Sequence, residues 1–276
     1  MKKTLSLICL GAFVLLGTGC DKLKSRDELN QGVAAFKGAK YAAAVGHFKT
    51  SVDLDPKNMN GRLYLATAYM QQYIPGADSP ENLQMAKASK EEFQKVLDQV
   101  PNDKLALASL ASLAYQQAQG VPELEEKFKR LNEAKEWYLK LVAADPQNKE
   151  AYYSLGVIDW AETYPVRTTA RVKLGMKPED PGPIKDKKVK EELRARNMPM
   201  VEDGIKQLSK AIEVDPNYDD AMAYLNLMYR ERADLADTKE GFIKDSEMAD
   251  SWVQKSLDTK KMKAAKQPTS GITQEK

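Results

Sequence analysis

The sequence predicts an all-α fold, a solenoid of about five antiparallel helix pairs with a long insertion in the fourth pair. Four short stops of similar sequence carry this prediction, at residues 55–58 (DPKN), 100–103 (VPND), 145–148 (DPQN) and 215–218 (DPNY). Each stop follows one amphipathic stretch and precedes another, and such self-similarity indicates a repeat architecture. The composition agrees, because 42% apolar and 30% charged residues are typical of a globular protein.

The first element along the chain is a targeting segment. Residues 2–3 are basic, residues 5–16 form an apolar run that is shorter than a membrane-spanning helix of ~20 residues, and the small residues 17–19 lead to Cys20. This pattern resembles the lipobox of bacterial lipoproteins, in which the cysteine becomes the first residue of the mature protein and carries the lipid. The resemblance implies a signal peptide at residues 1–19 and lipid, including palmitate, on Cys20.

The match to the lipobox has one departure. The family usually has leucine three residues before the cysteine, whereas this chain has Gly17 there and Leu16 one position earlier. A plain secretory signal with an incidental cysteine is the alternative. The lipoprotein interpretation explains why an exported protein would keep one unpaired cysteine. It predicts a protein of the bacterial cell envelope that is lipid-anchored at the inner or outer membrane and faces the periplasm.

The stops predict where helices end and begin. Proline ends the preceding helix, and the aspartate or asparagine that follows it caps the next one. The prolines of the four stops lie 45, 45 and 70 residues apart. The chain between residues 24 and 258 therefore divides into five units, each expected to form one helix pair.

These units resemble the tetratricopeptide repeat, which has two antiparallel helices in about 34 residues. The first unit has Gly32 and Ala44 at the small positions of the family and Phe48 at its aromatic position. The later units match at Leu65, Ala66, Tyr69, Phe93 and Pro101; Leu110, Ala111, Ala134, Tyr138 and Pro146; Leu155, Gly156, Leu208, Ala211 and Pro216; and Leu225, Tyr229, Ala249 and Val253. The tryptophan position of the family is a departure, with other residues in all five units. The resemblance implies a right-handed superhelical solenoid over residues 20–258.

Three units exceed the length of the repeat. We expect the extra residues of the second unit, around Pro75 and Pro80, to form a loop, and those at 123–130 to lengthen a helix. The fourth unit carries an insertion at about 162–200 with five prolines, which predicts mostly irregular structure with one short charged helix at 185–197. The insertion is either a binding face or a solvated decoration.

Two basic runs stand out against the rest of the mature chain, which is acidic because the mature chain as a whole is neutral. The insertion has ten Lys and Arg against six acids, and the tail at residues 259–276 has five Lys against one Glu. The tail lacks apolar periodicity, so we expect it to be flexible. Attraction to an anionic lipid surface or an acidic partner is one interpretation of these charges, and solubility is the other.

The residue inventory argues against catalysis. Cys9 and Cys20 lie in the targeting segment, His47 is the single histidine, and no serine stands in a Gly-x-Ser-x-Gly turn. A disulfide scaffold, a His/Cys metal site and a cysteine nucleophile in the body are therefore excluded. We expect a non-enzymatic protein with no metal or cofactor, and the net charge of +2 gives no reason to expect nucleic-acid binding.

The resemblance also implies a concave groove lined by first-helix residues. The predicted groove residues are Leu29, Phe36, Leu63, Met70, Tyr115, Tyr153, Trp160 and Arg230. An apolar and aromatic groove of this kind would bind a helix or an extended peptide. The alternative is that these side chains pack against neighbouring repeats or are covered by the insertion.

Together these features predict a membrane-anchored adaptor or scaffold of the cell envelope, which binds a protein or peptide in the groove, through the basic insertion, or through both. One alternative is a glycan-processing enzyme that uses insertion carboxylates, with Glu162, Glu179, Asp180 and Asp186 as the available acids. A passive structural spacer is the other alternative.

Overall fold

A computed structural model describes residues 2–177, 180 and 182–266, with side chains from Cys20 onward. The predicted signal peptide, residues 1–19, and the end of the predicted tail, residues 267–276, lie outside the described side chains. Within the described residues the chain forms ten helices and no strand. The helices are α1 (Lys2–Lys37), α2 (Tyr41–Leu54), α3 (Met59–Met70), α4 (Pro80–Gln99), α5 (Lys104–Gln119), α6 (Leu124–Ala144), α7 (Lys149–Lys173), α8 (Lys187–Val214), α9 (Asp219–Asp234) and α10 (Lys239–Lys266).

The helices pack in consecutive order within two compact units, Met1–Lys140 and Leu141–Lys276. In the compact unit Met1–Lys140, α1 packs on α2, α2 on α3, α3 on α4 and α4 on α5. In the compact unit Leu141–Lys276, α7 packs on α8, α8 on α9 and α9 on α10. The first helices of successive pairs also touch, since α1 contacts α3, α3 contacts α5 and α7 contacts α9. The predicted all-α architecture of consecutive helix pairs is confirmed.

The stops cap the helices as predicted at three of the four places. The side-chain oxygen of Asn58 accepts the Gly61 amide at 3.0 Å at the start of α3, and Asn148 accepts the Ala151 amide at 3.0 Å at the start of α7. Asp103 caps α5 in the same way. These side chains satisfy amides that have no partner inside the helix. The fourth stop places a tyrosine at the start of α9, which has no side-chain cap.

Glycines at the predicted small positions let the two helices of a pair approach closely. A Cβ atom on Gly32 of α1 would lie 2.5 Å from ring carbons of Phe48 of α2. A Cβ on Gly156 of α7 would lie 2.4 Å from Cγ of Leu208 of α8. Because both large side chains are fully buried, the missing Cβ is what leaves room for them.

The extra residues of the second and third repeat units lie where the sequence analysis predicts them. Residues 71–79 form the loop between α3 and α4. Asn82 holds this loop through three hydrogen bonds, in which its amide oxygen accepts from the Ile74 amide at 2.7 Å and its amide nitrogen donates to the carbonyls of Ile74 and Ala77. In the third unit α6 begins at Leu124, so the extra residues lengthen a helix.

The prediction for the insertion is wrong over most of its length. Pro165 lies inside α7 and Pro199 inside α8, so residues 162–200 mainly extend the two helices of the fourth pair, joined at residues 174–186. The predicted short charged helix is the beginning of the 28-residue α8. Helix α8 also contacts the backbone of α7 near Pro165, where Asn197 donates to the Thr163 carbonyl at 3.2 Å.

The prediction for the tail is wrong at its beginning. Helix α10 continues to Lys266, through the first eight residues of the predicted flexible segment. Asp219 at the start of α9 holds the C-terminal part of α10. Ser256 donates to the Asp219 carbonyl at 2.9 Å, and Lys263, which lies within the predicted tail, pairs with the Asp219 carboxylate. The hydroxyl of Thr259 also contacts the sulfur of Met222 at 3.7 Å.

Candidate functional site

Cys20, the predicted lipidation site, lies exposed on α1 as a free thiol. Five residues later, Ser25 is already buried against α2. The hydroxyls of Ser25 and Ser51 each donate to the carbonyl of the other residue at 2.8 Å. Since an α-helix rises 1.5 Å per residue, the thiol precedes the first buried contact by about 8 Å along the helix.

In the compact unit Met1–Lys140, which we call the first compact unit, the structure brings Phe36 and Leu63 together. They line a cavity of about 390 Å³, which we call the first-unit cavity. Its lining residues are Phe36, Asn60, Leu63, Tyr64, Thr67 and Leu105. Tyr64 stacks on the buried Phe48 at a ring distance of 5.3 Å and meets the Phe36 ring edge-on at 6.4 Å. Tyr64 and Leu105 are 40% and 53% exposed, so this apolar surface is open to solvent.

The other three predicted groove residues of the first compact unit, Leu29, Met70 and Tyr115, do not line this cavity. Leu29 packs against the core formed around Phe48. Met70 packs against the buried cluster of Tyr73, Ala86 and Leu113. Tyr115 is half-buried on α5. For Leu29 and Met70, the alternative interpretation of packing between repeats describes the contacts better than an open groove does.

In the second compact unit, Leu141–Lys276, Tyr153 and Trp160 lie in one aromatic cluster. Both meet the ring of Tyr224 edge-on, each at 5.5 Å. Trp160 also stacks on Tyr164 at 4.8 Å, and Tyr153 lies 5.2 Å from Tyr218. Tyr164 is 40% exposed, whereas Tyr153 and Trp160 are half-buried. The cluster therefore joins α7 to α9 and presents part of its edge to solvent.

Tyr218, which the sequence pattern marks only as part of a stop, anchors one end of this cluster. Its hydroxyl donates to the Glu150 carboxylate, and Lys149 lies over its ring at 4.9 Å. Burial, together with the hydrogen bond to Glu150, raises the pKa of Tyr218 above its ordinary value of 10. The tyrosine thus remains a neutral donor, which fixes the start of α9 against the start of α7.

Beside the aromatic cluster lies a cavity of about 230 Å³, which we call the α7–α9 pocket. Its lining comes from α7 and the residues after it (Trp160, Tyr164, Arg167, Thr168, Arg171, Val172 and Met176) and from α9 (Leu227, Arg230 and Glu231). Only Trp160 and Arg230 were predicted. Tyr164, Thr168 and Val172 follow Trp160 at four-residue spacing, which places them on the same helix face. This spacing could have identified them, but Pro165 argued for a break in the helix.

A buried ion network forms one side of the α7–α9 pocket. Arg167 Nε lies 2.8 Å from Glu231 Oε2, and the Arg167 guanidinium also pairs with Asp234. Arg171 donates to Asp234 at 2.8 Å and to the carbonyls of Lys177 and Asp180. Because the network joins α7 to α9 through largely desolvated groups, removing one member would leave an uncompensated charge.

Burial governs the protonation of this network. It raises the pKa of Glu231 from 4.5 to about 7, and the attraction of Arg167 only partly offsets this rise. Burial by itself lowers the pKa of Arg167, but the carboxylates of Glu231 and Asp234 outweigh it and raise the pKa above its ordinary value. The guanidinium stays charged, while Glu231 can take up a proton near neutral pH.

Arg230 lies at the solvent-exposed rim of the α7–α9 pocket. Its guanidinium donates to Asn226 at 3.0 Å and to Asp250 at 2.8 Å. Both side chains of the ion pair with Asp250 are about half or more exposed, so the pair is worth at most about 1 kcal/mol and exchanges easily with another carboxylate.

The carboxylates of the insertion have separate structural contacts. Asp186 caps α8 through the Val189 amide at 2.9 Å, and Asp180 accepts the Lys177 amide at 2.6 Å. Glu162 is buried on α7, and Glu179 lies outside the described residues. Among residues with described side chains, no group of three or more His, Cys, Asp or Glu is arranged to hold a metal ion.

Among the residues with described side chains, from Cys20 onward, no helix is both long and apolar enough to cross a membrane.

Similarity to solved structures extends over most of the chain, whereas no protein-family model and no curated protein matches it. A double mutant of MamA from strain RS-1 aligns at 17% identity and a TM-score of 0.53, covering 88% of this chain and 97% of that one. MamA from Desulfovibrio magneticus RS-1, residues 41 to the end, aligns at 17% and 0.52, covering 87% and 96%. A thermophilic TPR protein of Thermus thermophilus aligns at 13% and 0.44, covering 87% and 97%. At these identities the two MamA structures show a common fold, and the matched sequence positions are what give the chain its resemblance to tetratricopeptide-repeat proteins.

Proposed function

We propose that this protein is a non-enzymatic scaffold that binds protein or peptide segments. The half-exposed aromatic surfaces carry the proposal. In the compact unit Met1–Lys140, α1 and α3 hold the rings of Phe36 and Tyr64 partly in solvent, and in the compact unit Leu141–Lys276, α7 holds those of Trp160 and Tyr164 partly in solvent. Rigid aromatic side chains next to an apolar cavity are typical anchor sites for a partner side chain.

The proposal includes a membrane anchor on Cys20 and a place in the bacterial cell envelope. The sequence pattern before Cys20 supports the anchor, and the exposed thiol is available for lipid. The close succession of Cys20 and the buried Ser25 implies that a lipid there would hold the first unit near the membrane surface. The anchor would thus localise the partner as well as the scaffold.

Photocrosslinking in cells tests the scaffold. A photoreactive amino acid is placed at Tyr64 or Tyr164, which are both exposed at the aromatic surfaces. The control position is Lys49, an exposed residue of α2 away from both cavities. We expect discrete adducts with the same partner at one or both tyrosine positions and none at Lys49. Equal adducts at all three positions, or none anywhere, would contradict the proposal and favour a passive spacer.

Metabolic labelling tests the anchor separately. Cells that produce the protein are grown with radiolabelled palmitate, and the label is compared between the wild type and a Cys20→Ser variant. We expect label only on the wild type, together with membrane fractionation that the variant loses. An unlabelled wild type would leave the plain secretory signal as the correct interpretation.

A further inference from the structure

The first turns of α1 present one side to solvent beside the predicted lipidation site. Ser25 is buried here and faces α2. Successive residues of a helix lie about 100° apart around its axis, which places Cys20 and Leu23 about 140° and 160° from Ser25, on the outward side. Lys24 and Arg26 flank this side, each about 100° from Ser25. All four residues are exposed, and we call them the anchor face.

Leu23 is the apolar centre of the anchor face. It is 68% exposed, more than any other large apolar side chain that the structure describes. A single exposed leucine is ordinary on a protein surface, so its position has to give it meaning. Residues three apart on a helix have Cβ atoms about 5–6 Å from each other. A lipid on Cys20 would therefore hold its acyl chains directly beside Leu23.

Two cations border Leu23 on the anchor face. Lys24 lies four residues after Cys20, and Arg26 lies three residues after Leu23, so each neighbours one member of the apolar stripe. Neither cation forms an ion pair with another side chain in the described part of the chain. Both are therefore available to an anionic group that approaches from outside the protein.

The nearby carboxylates leave this positive border in place. Asp21 lies about 40° from Ser25, on the side that faces α2, where the exposed Lys22 balances its charge. Asp27 lies on the outward side, but about 10 Å beyond the thiol along the helix, and it accepts a hydrogen bond from Gln31 at 2.8 Å. The part of the outward side that is closest to the thiol thus carries cations and a leucine.

We propose that the anchor face lies on an anionic lipid surface, with Leu23 at the boundary between headgroups and acyl chains and with Lys24 and Arg26 on phosphate groups. This inference rests on the proposed anchor at Cys20 and adds that α1 itself docks on the bilayer. Burial of the leucine and attraction of the cations both favour the docked helix. Because the lipid keeps α1 at the membrane, a contact too weak to bind a free protein is still populated.

The position of the anchor favours a bilayer over a partner protein on this face. A protein that covered Leu23 would have to fill the space within about 6 Å of the atom that carries the acyl chains, which the headgroups of the bilayer already occupy. The hydrogen bonds between Ser25 and Ser51 join the same turns of α1 to α2. Docking would therefore fix the orientation of the first compact unit against the membrane.

Fluorescence quenching by labelled lipids tests the inference. Leu23→Cys places a thiol on the anchor face, and this thiol is the single free one once Cys9 is removed with the signal peptide and Cys20 carries the lipid. The lipidated protein is labelled there with a nitrobenzoxadiazole dye and reconstituted into vesicles of phosphatidylcholine and phosphatidylglycerol, with a nitroxide on the acyl chain of one lipid as the quencher. We expect strong quenching at position 23. We expect little at Lys87→Cys, an exposed position on α4, which packs on α3 and α5.

Removal of the two cations separates docking from tethering. One cation near an anionic surface contributes about fivefold, so Lys24→Gln and Arg26→Gln together should shift the equilibrium toward the undocked helix by about thirtyfold. The quenching at position 23 should fall accordingly, and it should also fall in vesicles of phosphatidylcholine alone. Lys87→Gln together with Lys129→Gln removes the same charge from exposed positions on α4 and α6 and should leave the quenching unchanged.

The outcomes separate this inference from the anchor itself. If the protein carries palmitate and floats with the vesicles while position 23 stays unquenched, the inference fails and the anchor stands. Equal quenching at positions 23 and 87, or quenching that persists without both cations, would also overturn the inference. A photoreactive residue at position 23 that yields a discrete protein adduct in cells would overturn it in favour of a partner protein. If the wild type carries no palmitate and does not float, the anchor and the inference fall together. Circular dichroism melting of each variant verifies that the fold is intact, since every substituted residue is exposed.

Discussion

Replacement of Gly156 by alanine tests how closely α7 and α8 approach. The added Cβ would lie 2.4 Å from Cγ of Leu208 and 2.9 Å from both of its δ carbons. Leu208 is fully buried among residues of α8 and α9, including Val201 and Leu225. Because the contact is with the branch point of leucine rather than the end of a flexible chain, no small rotation of Leu208 removes the clash. The two helices must therefore move apart.

The magnitude follows from two opposing terms. Alanine is favoured over glycine inside a helix by about 1 kcal/mol. Overpacking a well-filled core costs about 1–3 kcal/mol, and a clash of all three branch atoms of Leu208 belongs at the upper end. We therefore expect Gly156→Ala to lower the free energy of unfolding by about 2 kcal/mol.

A double-mutant cycle with Leu208→Ala isolates the clash. Leu208→Ala alone should cost about 3 kcal/mol, as is typical for a buried leucine. In that background there is room for the Cβ introduced at position 156, so Gly156→Ala should stabilise the protein by up to about 1 kcal/mol through helix propensity. The expected coupling between the two substitutions is about 3 kcal/mol. Urea unfolding of the purified protein, followed by circular dichroism, measures all four free energies.

Gly46 supplies the matched control. It lies exposed inside α2, and apart from its chain neighbours and the adjoining helix backbone nothing stands within 4 Å of where its Cβ would be. Gly46→Ala should therefore stabilise the protein by about 0.5–1 kcal/mol. If Gly156→Ala also stabilised the wild type, or if it had the same effect with and without Leu208, close helix approach would not be the reason for glycine at position 156.

Three further predictions concern single side chains. Glu231→Gln removes a carboxyl that holds its proton more tightly in the folded state than in the unfolded state. The difference in free energy of unfolding between the wild type and the variant should therefore favour the wild type most below about pH 4.5 and decline by up to about 3 kcal/mol as the pH rises through about 7. Urea unfolding at several pH values measures this difference, and a constant difference would contradict the raised pKa. Asn148→Ala should cost about 1 kcal/mol through loss of the α7 cap, whereas no change in thermal unfolding would mean that water replaces it. Asn82→Ala removes three hydrogen bonds that hold the loop at residues 71–79, so limited proteolysis should cleave this loop faster, and an unchanged rate would show that other contacts hold it.

Local chemistry explains why the sequence located most helix ends. Asn58 and Asn148 cap helices through amides three residues away, and the preceding proline ends the helix before each. Such signals act over a few residues and are visible without a structure. The same is true of Gly32, whose small size permits contact with an aromatic residue of the next helix, as the resemblance to the tetratricopeptide repeat implied.

The candidate site was only partly accessible to the sequence. The groove positions that the resemblance to the tetratricopeptide repeat implies include Phe36, Leu63, Trp160 and Arg230, which the structure places at the two cavities. They also include Met70, whose contacts are with a buried cluster. Spacing along a helix specifies a face, but whether that face is open or covered depends on what packs against it.

What the sequence alone determined is therefore the succession of helix pairs, their caps and the close contacts within them. Only the tertiary structure decided that the insertion is helical and forms a pocket. Pro165 predicts a break from local rules, yet α7 continues through it as a helix that packs against α8 and α9, and such packing can override a local preference. Likewise, Arg167 meets Asp234 across 67 residues of chain. Contacts between such distant residues exist only after the helices have packed, which is why no local pattern announced them.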